Sequence, residues 1–540
     1  MGIDLGTQSV RALAVTDDGR VLGRGSAPLT GHRDGDRHEQ LPADWWTGAV
    51  VAIRGTLRPL SGARVRGLAV CGTSGTVLLT DARGTPLTPA LMYDDGRAGA
   101  EARYAQETGA EVWRSLGHRI QPSWALAKLV WLTRPGRDGV ATDLGGARVR
   151  GGDRVRGGDH ALRGARALRG ARVCHQADFI TTRLVGRPVP TDSSHALKTG
   201  YDLHTGRWPV GVHEELGLSE LDFPAVVAPG ALLGTVCREA ADRTGLAEGT
   251  PVIAGMTDGC AAQLGSGAWD IGRWNTVLGT TLVLKGVTAA PLRDPAGVLY
   301  SHRSPDGHWL PGGASSVGAG ALARAFPGAD LARLDRLASD REPASVVAYP
   351  LVSRGERFPF LAPDAEAFVL GRPADDADHH AALLQGVALV ERLCLAYVRL
   401  LGAPVDAPVT FTGGATRSRY WNQLRADVLG LPAAIPEHTD SALGMAVLAA
   451  HGVTGGAAEA TAADPGTDPE TAAGPATQPA DGIASTPLSA VRGMVRVRTV
   501  LEPRPQVSRR FAEPFVTLVD ELERRGWLPP STAAYAREHG

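Results

Sequence analysis

The sequence predicts an α/β protein of two related lobes built to hold a phosphate chain, and three stretches carry that expectation. In the first, MGIDLGTQSVR (Met1 to Arg11), apolar alternation leads to Asp4 at the end of a strand. Gly6-Thr7-Gln8-Ser9 then make a tight turn, and a second strand follows over Val10 to Val15. Glycine lets such a turn bring several backbone N–H groups to one anion, and Thr7, Gln8 and Ser9 add side-chain donors. The second stretch, NTVLGTTLVLK (Asn275 to Lys285), repeats the device, with Leu278-Gly279-Thr280 standing for Leu5-Gly6-Thr7. A single such turn is an ordinary hairpin; two in the two halves of a chain imply matched lobes. The third, TFTGGATRSRYWNQLRADVL (Thr410 to Leu429), runs from strand through a glycine turn into a helix, which lets a flat base or ribose approach the backbone.

At 540 residues the chain is long enough for two or more domains with substantial cores. Lys plus Arg number 56 against 57 Asp plus Glu, so the overall charge gives no pull toward nucleic acid or a membrane surface. No run of about 18 apolar residues is present, and a strand and turn stand at the N-terminus where a targeting segment would lie. A cytoplasmic location is therefore expected. The first strand has only about four residues, so either it is short or the native start lies upstream of Met1. Five cysteines, an odd number and never spaced C-x-x-C, read as thiols in a reducing compartment, with no zinc site.

Along the chain, Pro42 to Leu60 has helical spacing with Asp44 near its start. Val65 to Val70 is a short buried strand ending in Cys71-Gly72-Thr73-Ser74-Gly75, where Thr73 and Ser74 either meet a ligand or cap a turn. Tyr93-Asp94-Asp95-Gly96-Arg97 gathers two carboxylates and a guanidinium in a loop, and an Asp95–Arg97 pair fixing that loop is as good a reading as ligand contact. His175 reads as a structural histidine. VIAGMTDGCAAQLGSG (Val252 to Gly267) is a buried strand ending in Thr257-Asp258 before a helix. A carboxylate there faces the crevice where α/β proteins bind ligands, although capping the helix is the commoner use of such an aspartate. Asp378 to Leu401 has the spacing of a core helix. Ser441 to Ala450 is a small-residue helix suited to packing near the nucleotide strand.

Two stretches break the pattern. Gly136 to Arg172 repeats RVRGGD and ALRGAR with nine Arg against four Asp and reads as a flexible insertion, the more so as no aromatics are interleaved for base stacking. Thr454 to Asp481 is rich in Ala, Thr, Pro, Gly and acid without a basic residue and reads as a disordered linker.

With these stretches in order, the chain resembles the FGGY carbohydrate kinases, a branch of the actin and Hsp70-like (ribonuclease H-like) ATPase fold. The likeness spans most of residues 1–453, resumes near 484, and includes YDDGRA (Tyr93 to Ala98), GMTDG (Gly255 to Gly259) and RGERFP (Arg354 to Pro359). CHQAD (Cys174 to Asp178), DSSHALKTGYD (Asp192 to Asp202), Tyr300 to Arg303 and Gly312 to Ser315 are most similar to the xylulokinase-like D-ribulose kinases of cyanobacteria and plants. The resemblance implies an N-terminal lobe over 1–265 for sugar and phosphate and a C-terminal lobe over 266–453 for nucleotide, with the active site in the cleft between them. It implies a linker over 454–483 and a segment over 484–540 whose helix returns to the first lobe.

The resemblance further implies an ATP-dependent kinase using Mg²⁺ that phosphorylates the terminal hydroxyl of a ketopentose, D-ribulose giving D-ribulose 5-phosphate. D-Xylulose or a polyol is the alternative within the class, and a non-catalytic nucleotide- or sugar-gated regulator the alternative outside it. Asp258 becomes the general base. Asp4 holds Mg²⁺ through water and touches the sugar with Thr73, Ser74 and Asp95. Gly6, Thr7, Gln8 and Arg11, with Gly279 and Thr280, hold the phosphates, and Gly313, Gly414 and Ser418 line the adenosine. Ser418 stands where the family usually has Asn, and Ala415 replaces a glycine, which would narrow the approach of the ribose. Xylulokinases carry Gln-Met-His where this chain has Thr73-Ser74-Gly75. Sugar and ATP are the expected partners, without nucleic acid or membrane, for a monomer or homodimer. For Arg354 to Pro359 the expectation is Glu356 paired with Arg354 or Arg357 as scaffolding.

Overall fold

A computed structural model of the chain describes residues 1–60, 64–134, 168–462 and 488–540. The chain divides into two compact units. The first comprises Met1–Gly265, His302–Gly307 and Asp440–Met494, the second Ser266–Ser301, His308–Thr439 and Val495–Gly540.

The first unit is built on a six-stranded sheet in the order Leu232–Thr235, Pro251–Ile253, Leu68–Gly72, Gly2–Leu5, Ser9–Val15, Val21–Pro28. Gly2–Leu5 is short but fully buried, antiparallel to Ser9–Val15 and parallel to Leu68–Gly72. The register sets Asp4 opposite Arg11 on one side and Cys71 on the other. The helix Pro42–Leu57, with proline in its first turn and Asp44 at its positive end, covers the outer strands. A Cβ on Gly25 would stand 2.0 Å from the Ala52 carbonyl oxygen, so the helix approaches the strand through glycine. A second sheet of five strands runs His32–Asp34, Arg37–Gln40, Ala90–Leu91, Val77–Thr80, Arg172–His175.

The helix Ser441–Ala462 belongs to this first unit and lies against Gly2–Leu5, where a Cβ on Gly2 would be 1.8 Å from the Ala442 carbonyl oxygen. Two expectations change with it. The small-residue helix buttresses the sheet of the first unit, and it runs to Ala462, past the expected linker start at 454. The rest of the 454–483 linker lies outside the described residues. So does most of the 136–172 insertion, whose last residues enter the strand Arg172–His175 with Ala171 buried.

In the second unit the strands Trp309–Ser315, Leu282–Gly286, Trp274–Leu278, Val409–Thr412, Ala433–Pro436 and Val497–Leu501 follow one another in one sheet. Its core is threaded by the helix Asp376–Leu400, N-capped by the Asp375 carboxylate. That helix is long and apolar enough to cross a membrane, but its most apolar window is 94% buried, as suits a core element. The C-terminal helices Ala512–Arg524 and Pro530–His539 also pack here. Phe515, Leu518, Val519, Leu522, Ala533 and Ala536 join the same core as Leu384 and Val387, so the last helix does not return to the first lobe as expected.

One buried ion pair ties this core together. Arg425 and Glu391 are both fully buried, with Nε donating to Oε2 at 2.7 Å and Nη2 to Oε1 at 2.8 Å. Nη2 also donates to Thr276 Oγ1 at 2.6 Å, and the guanidinium lies 3.7 Å from the centre of the Phe411 ring. Two helices and two strands thus meet at one fork-shaped contact. Breaking such a pair from one side strands a buried charge, so Glu391→Ala should lower the stability of the second unit by about 3–5 kcal/mol, whereas joint replacement by Met and Leu should cost far less. Urea unfolding followed by tryptophan fluorescence checks this, and a single variant as stable as the double one contradicts it.

Candidate active site

In the first unit three strand ends lie side by side. Leu5 pairs with Gly72, and Gly72 bridges Thr257, so Asp4, Cys71 and Asp258 fall around one end of the sheet. Gly255, in the GMTDG stretch, makes this possible: a Cβ there would be 1.8 Å from the Val70 carbonyl oxygen. Asp258 opens the helix Asp258–Ser266, with its Oδ1 accepting from the Gly259 N–H at 2.8 Å, and it is only partly buried. This helix meets Ser441–Ala462 at Gly444, where a Cβ would stand 1.9 Å from the Ala261 carbonyl oxygen.

Asp4 is 9% exposed. Cys71 Sγ–H donates to its Oδ1 at 3.5 Å, and Arg11 Nη1 stands 4.0 Å from its Oδ2. Burial, then the charge of Asp258, raises its carboxyl from 3.8 to about 6, against the pull of Arg11 and Cys71. A carboxylate so placed is short of positive charge. Among the described residues no three His, Cys, Asp or Glu side chains gather to hold a metal. The Asp4 carboxylate itself fits a cation held through one or two carboxylates, water and a ligand's own phosphates, as Mg²⁺ commonly is.

The turn beyond Asp4 is anchored from behind. The Gly6 N–H donates to Ser9 O at 3.0 Å, Gln40 Nε2 to Thr7 O at 2.7 Å, and the Leu29 N–H to Gln8 O at 2.8 Å. Gln40 is fixed in turn by the Trp45 indole N–H at 2.7 Å. With their carbonyls tied down, Gln8 is exposed and Thr7 half-buried, and Arg11 is exposed as well.

The sugar residues implied by the sequence divide. Thr73 is buried, and its Oγ1 lies 2.7 Å from Gln176 Oε1 and 2.5 Å from Thr76 Oγ1, so its hydroxyl is spent within the fold. Asp95 is fully buried, accepting from Arg97 Nε (3.0 Å), Arg97 Nη2 (2.8 Å) and the His38 N–H (2.9 Å). It takes the loop-fixing role rather than one of ligand contact. Ser74 differs: its Oγ is buried, with no hydrogen-bond partner among the described residues. Gln176 Nε2, Ser193 Oγ and His195 Nε2 share that condition. All three lie in the CHQAD and DSSHALKTGYD stretches that carry the resemblance, although the sequence assigns none of them a role of its own. His175 is fully satisfied by Asp178, Thr191 and Thr199.

Behind Asp258, Asp192 organises a polar network. Its Oδ1 accepts from the Ser194 hydroxyl at 2.6 Å, and Ser194 Oγ accepts from the Thr257 N–H at 2.8 Å. His195 Nδ1 is 2.5 Å from Asp192 Oδ2; burial pulls its pKa down, but the charge and hydrogen bond of Asp192, joined by the charges of Asp178 and Asp258, together make the net shift upward.

In the second unit the Gly279-Thr280 turn is gripped by backbone. The Ala319 and Gly320 N–H groups donate to Gly279 O and Thr280 O, each at 3.0 Å. A Cβ on Gly318 would be 2.3 Å from Thr280 O, and one on Gly413, at φ +86°, 2.5 Å from Leu278 O. Gly313 backs onto the Phe358 ring, 2.4 Å from where its Cβ would be. Glu356 pins the end of that strand, accepting from Ser315 Oγ (2.9 Å), the Ser316 N–H (2.7 Å), the Arg357 N–H (2.9 Å) and the Tyr349 hydroxyl (2.8 Å). The scaffolding role expected of Glu356 holds with different partners, while Arg354 faces Glu366 at 3.6 Å.

Ser418 caps the helix Arg419–Leu429. Its Oγ accepts from the Trp421 N–H at 3.0 Å and donates to Asp335 Oδ2 at 2.7 Å, leaving little for a nucleotide base. The Ala415 methyl is buried in the core, so it does not narrow a ribose approach as expected. Gly414 is different: a Cβ there would meet nothing within 4 Å, and its φ is not positive. Neither packing nor backbone conformation calls for glycine, and open space lies beside it.

Units of this topology, each presenting a Gly-Thr turn at a sheet end, define a two-domain sugar kinase of the actin/Hsp70-like fold, and solved sugar kinases match it. A xylulose kinase from Rhodospirillum rubrum superposes with a TM-score of 0.76 at 25% identity, covering 97% of this chain and 98% of that one. The chain belongs to the FGGY family of carbohydrate kinases: the N-terminal domain of the family matches residues 1–143 and 159–265 and the C-terminal domain residues 274–453. It is 31% identical over 480 residues to a xylulose kinase of Streptomyces coelicolor, covering 86% of this chain and 89% of that one. It is 23% identical over 475 residues to a gluconokinase of Bacillus subtilis, covering 83% and 86%. The protein is an ATP-dependent sugar kinase.

Two outcomes follow from the site. Because the fold raises the Asp4 pKa, stability contributed by its neutral form is lost as pH rises from 3.8 to about 6. Asp4→Asn should therefore remove activity yet raise stability near pH 7 by up to roughly 3 kcal/mol, at 1.36 kcal/mol per unit. Denaturant unfolding at pH 4 and 7 checks it, and a variant less stable than wild type at pH 7 contradicts it. Gly414→Ala should leave the melting temperature nearly unchanged while raising KM for ATP on the order of tenfold, the effect of filling space a ligand needs. Unchanged KM for ATP would show that the space is idle.

Proposed function

We propose that this kinase transfers the γ-phosphoryl group of ATP to the terminal hydroxyl of a ketopentose, with D-ribulose as the substrate and D-ribulose 5-phosphate as the product. The observation that carries the reading is the meeting of Asp4 and Asp258 at one sheet end, with the Asp4 pKa lifted by burial and by its neighbour's charge. Asp258, partly exposed at the start of its helix, accepts the proton of the sugar hydroxyl as that oxygen attacks the γ-phosphorus. One O–P bond forms, the bond to the β-phosphate oxygen breaks, and ADP leaves. Phosphoryl transfer asks the protein for alignment and charge neutralisation more than for covalent chemistry.

Mg²⁺, when bound, neutralises charge on the phosphates, and Asp4 is the residue suited to hold it, through water. Thr7, Gln8 and Arg11 in the first unit and the backbone at Gly279 and Thr280 in the second hold the β- and γ-phosphates. Gly313 and Gly414 border the adenosine. On the sugar side Ser74 takes the leading place over Thr73 and Asp95, because its buried hydroxyl has no partner among the described residues.

The choice of D-ribulose rests on Thr73-Ser74-Gly75, which departs from the Gln-Met-His of xylulokinases. D-Xylulose is the second reading, favoured by the xylulose kinases to which the chain is similar. An ADP-release assay across D-ribulose, D-xylulose, L-ribulose, L-xylulose, ribitol and glycerol separates them by kcat/KM, and a higher value for D-xylulose replaces the first reading by the second. Asp258→Ala should keep ATP binding and lose about 100- to 10,000-fold in turnover, the usual worth of a general base. A variant that retains more than about a tenth of wild-type turnover removes Asp258 from that role.

A further inference from the structure

Within the first unit, Lys128 is fully buried in the helix Ala125–Thr133, in a run where every residue from Ala125 to Leu132 is buried. Its Nζ donates to three backbone carbonyls from three separate turns: Gly75 O at 3.0 Å, Met92 O at 2.5 Å and Ser123 O at 3.1 Å. Three acceptors match the three N–H bonds of an ammonium group. Among the described residues no carboxylate contacts it directly, and its charge is met by peptide dipoles.

One of the three turns carries Ser74, the hydroxyl that the proposed function gives to the acceptor sugar. Gly75 closes Thr73-Ser74-Gly75 and holds φ +98°, with space for a Cβ denied by Ser123 O at 2.6 Å. Met92 leads into Tyr93 to Arg97, and its carbonyl also accepts from the Asp95 N–H at 2.9 Å. The same helix face holds that second loop again. Trp131, three residues on from Lys128, lies under the Arg97 guanidinium at 4.5 Å from the ring centre.

We propose that Lys128 is a positioning residue for the acceptor: its ammonium draws the 73–75, 92–97 and 121–124 turns together and thereby sets where the Ser74 hydroxyl stands. The sugar assignment of these turns rests on the proposed function. The clamp itself is a property of the first unit, apart from the nucleotide-holding turns of the second. A misplacement of about 1 Å in a positioned group can cost on the order of 100-fold. Burial also lowers the Lys128 pKa to about 7, opposed by Asp95, which marks the ammonium as held at a cost in solvation.

The test is Lys128→Met, with Lys128→Gln as a variant that keeps two N–H donors and folds more readily. Steady-state kinetics with ketopentose and ATP varied separately should show KM for the sugar raised on the order of 10- to 100-fold in Lys128→Met, less in Lys128→Gln, with KM for ATP within about twofold of wild type. Hydrogen exchange should quicken in the amides of both 72–76 and 93–97 while those of 277–283 stay unchanged. Equal rises in the two KM values, or unchanged exchange in the two turns, overturn the proposal. A wild type that turns over no ketopentose overturns the proposed function instead, and the exchange measurement then decides the clamp alone.

Discussion

A buried carboxylate with little positive charge beside it is the constraint around which the first unit is arranged. Asp4 sits at the end of a strand that is buried along its whole length, flanked in register by a thiol on one side and a guanidinium 4.0 Å away on the other. Neither neighbour supplies full compensation, and Asp258 makes matters worse. A fold that wanted only stability would place an asparagine or an apolar residue there. The surroundings are closely packed: the Ser441–Ala462 helix closes on Gly2 and, through its own Gly444, on the Ala261 carbonyl, and Gly255 lets the neighbouring strand approach. Chemistry and stability are set against each other at this residue.

The second unit solves a simpler problem with backbone alone. Its Gly-Thr turn is held by two N–H donors from the segment around Gly318 and by the close approach of Gly413, so its geometry depends little on side chains. Glu356 acts one strand away in the same manner, gathering two hydroxyls and two N–H groups on one buried carboxylate. Burial raises its pKa, those four donors opposing the shift, which suits a group used as an acceptor for the scaffold.

Much of this was legible in the residues. The two Gly-Thr turns and the core helix near 378–401 follow from periodicity and turn chemistry, and the helix is found at Asp376–Leu400; the strand expected to end at Thr257-Asp258 stops at Ile253, with Thr257 making a single bridge to Gly72. What escaped is tertiary in origin. Whether a hydroxyl faces a ligand or the fold is decided by partners distant in sequence: Thr73 is claimed by Gln176 and Ser418 by Asp335, while Ser74 Oγ has no partner among the described residues. The placement of Ser441–Ala462 in the first unit and of the C-terminal helices in the second is likewise invisible to local pattern. Lys128 looks like an intruder in an apolar helix until its three carbonyls are seen. The ends of the 136–172 and 454–483 stretches show the limits of composition, which marks a segment as polar or small without saying where regular structure resumes.

The thiol beside Asp4 carries a last consequence. Burial pushes the pKa of Cys71 well above its ordinary range, and the negative charges of Asp4 and Asp258 push it further. Since only the ionised sulfur attacks electrophiles or peroxides at useful rates, this cysteine is chemically quiet despite its central address. Alkylating agents and oxidants would find it a poor target, and Asp4 gains a neighbour that supplies a weak hydrogen bond without the redox vulnerability cysteines usually bring.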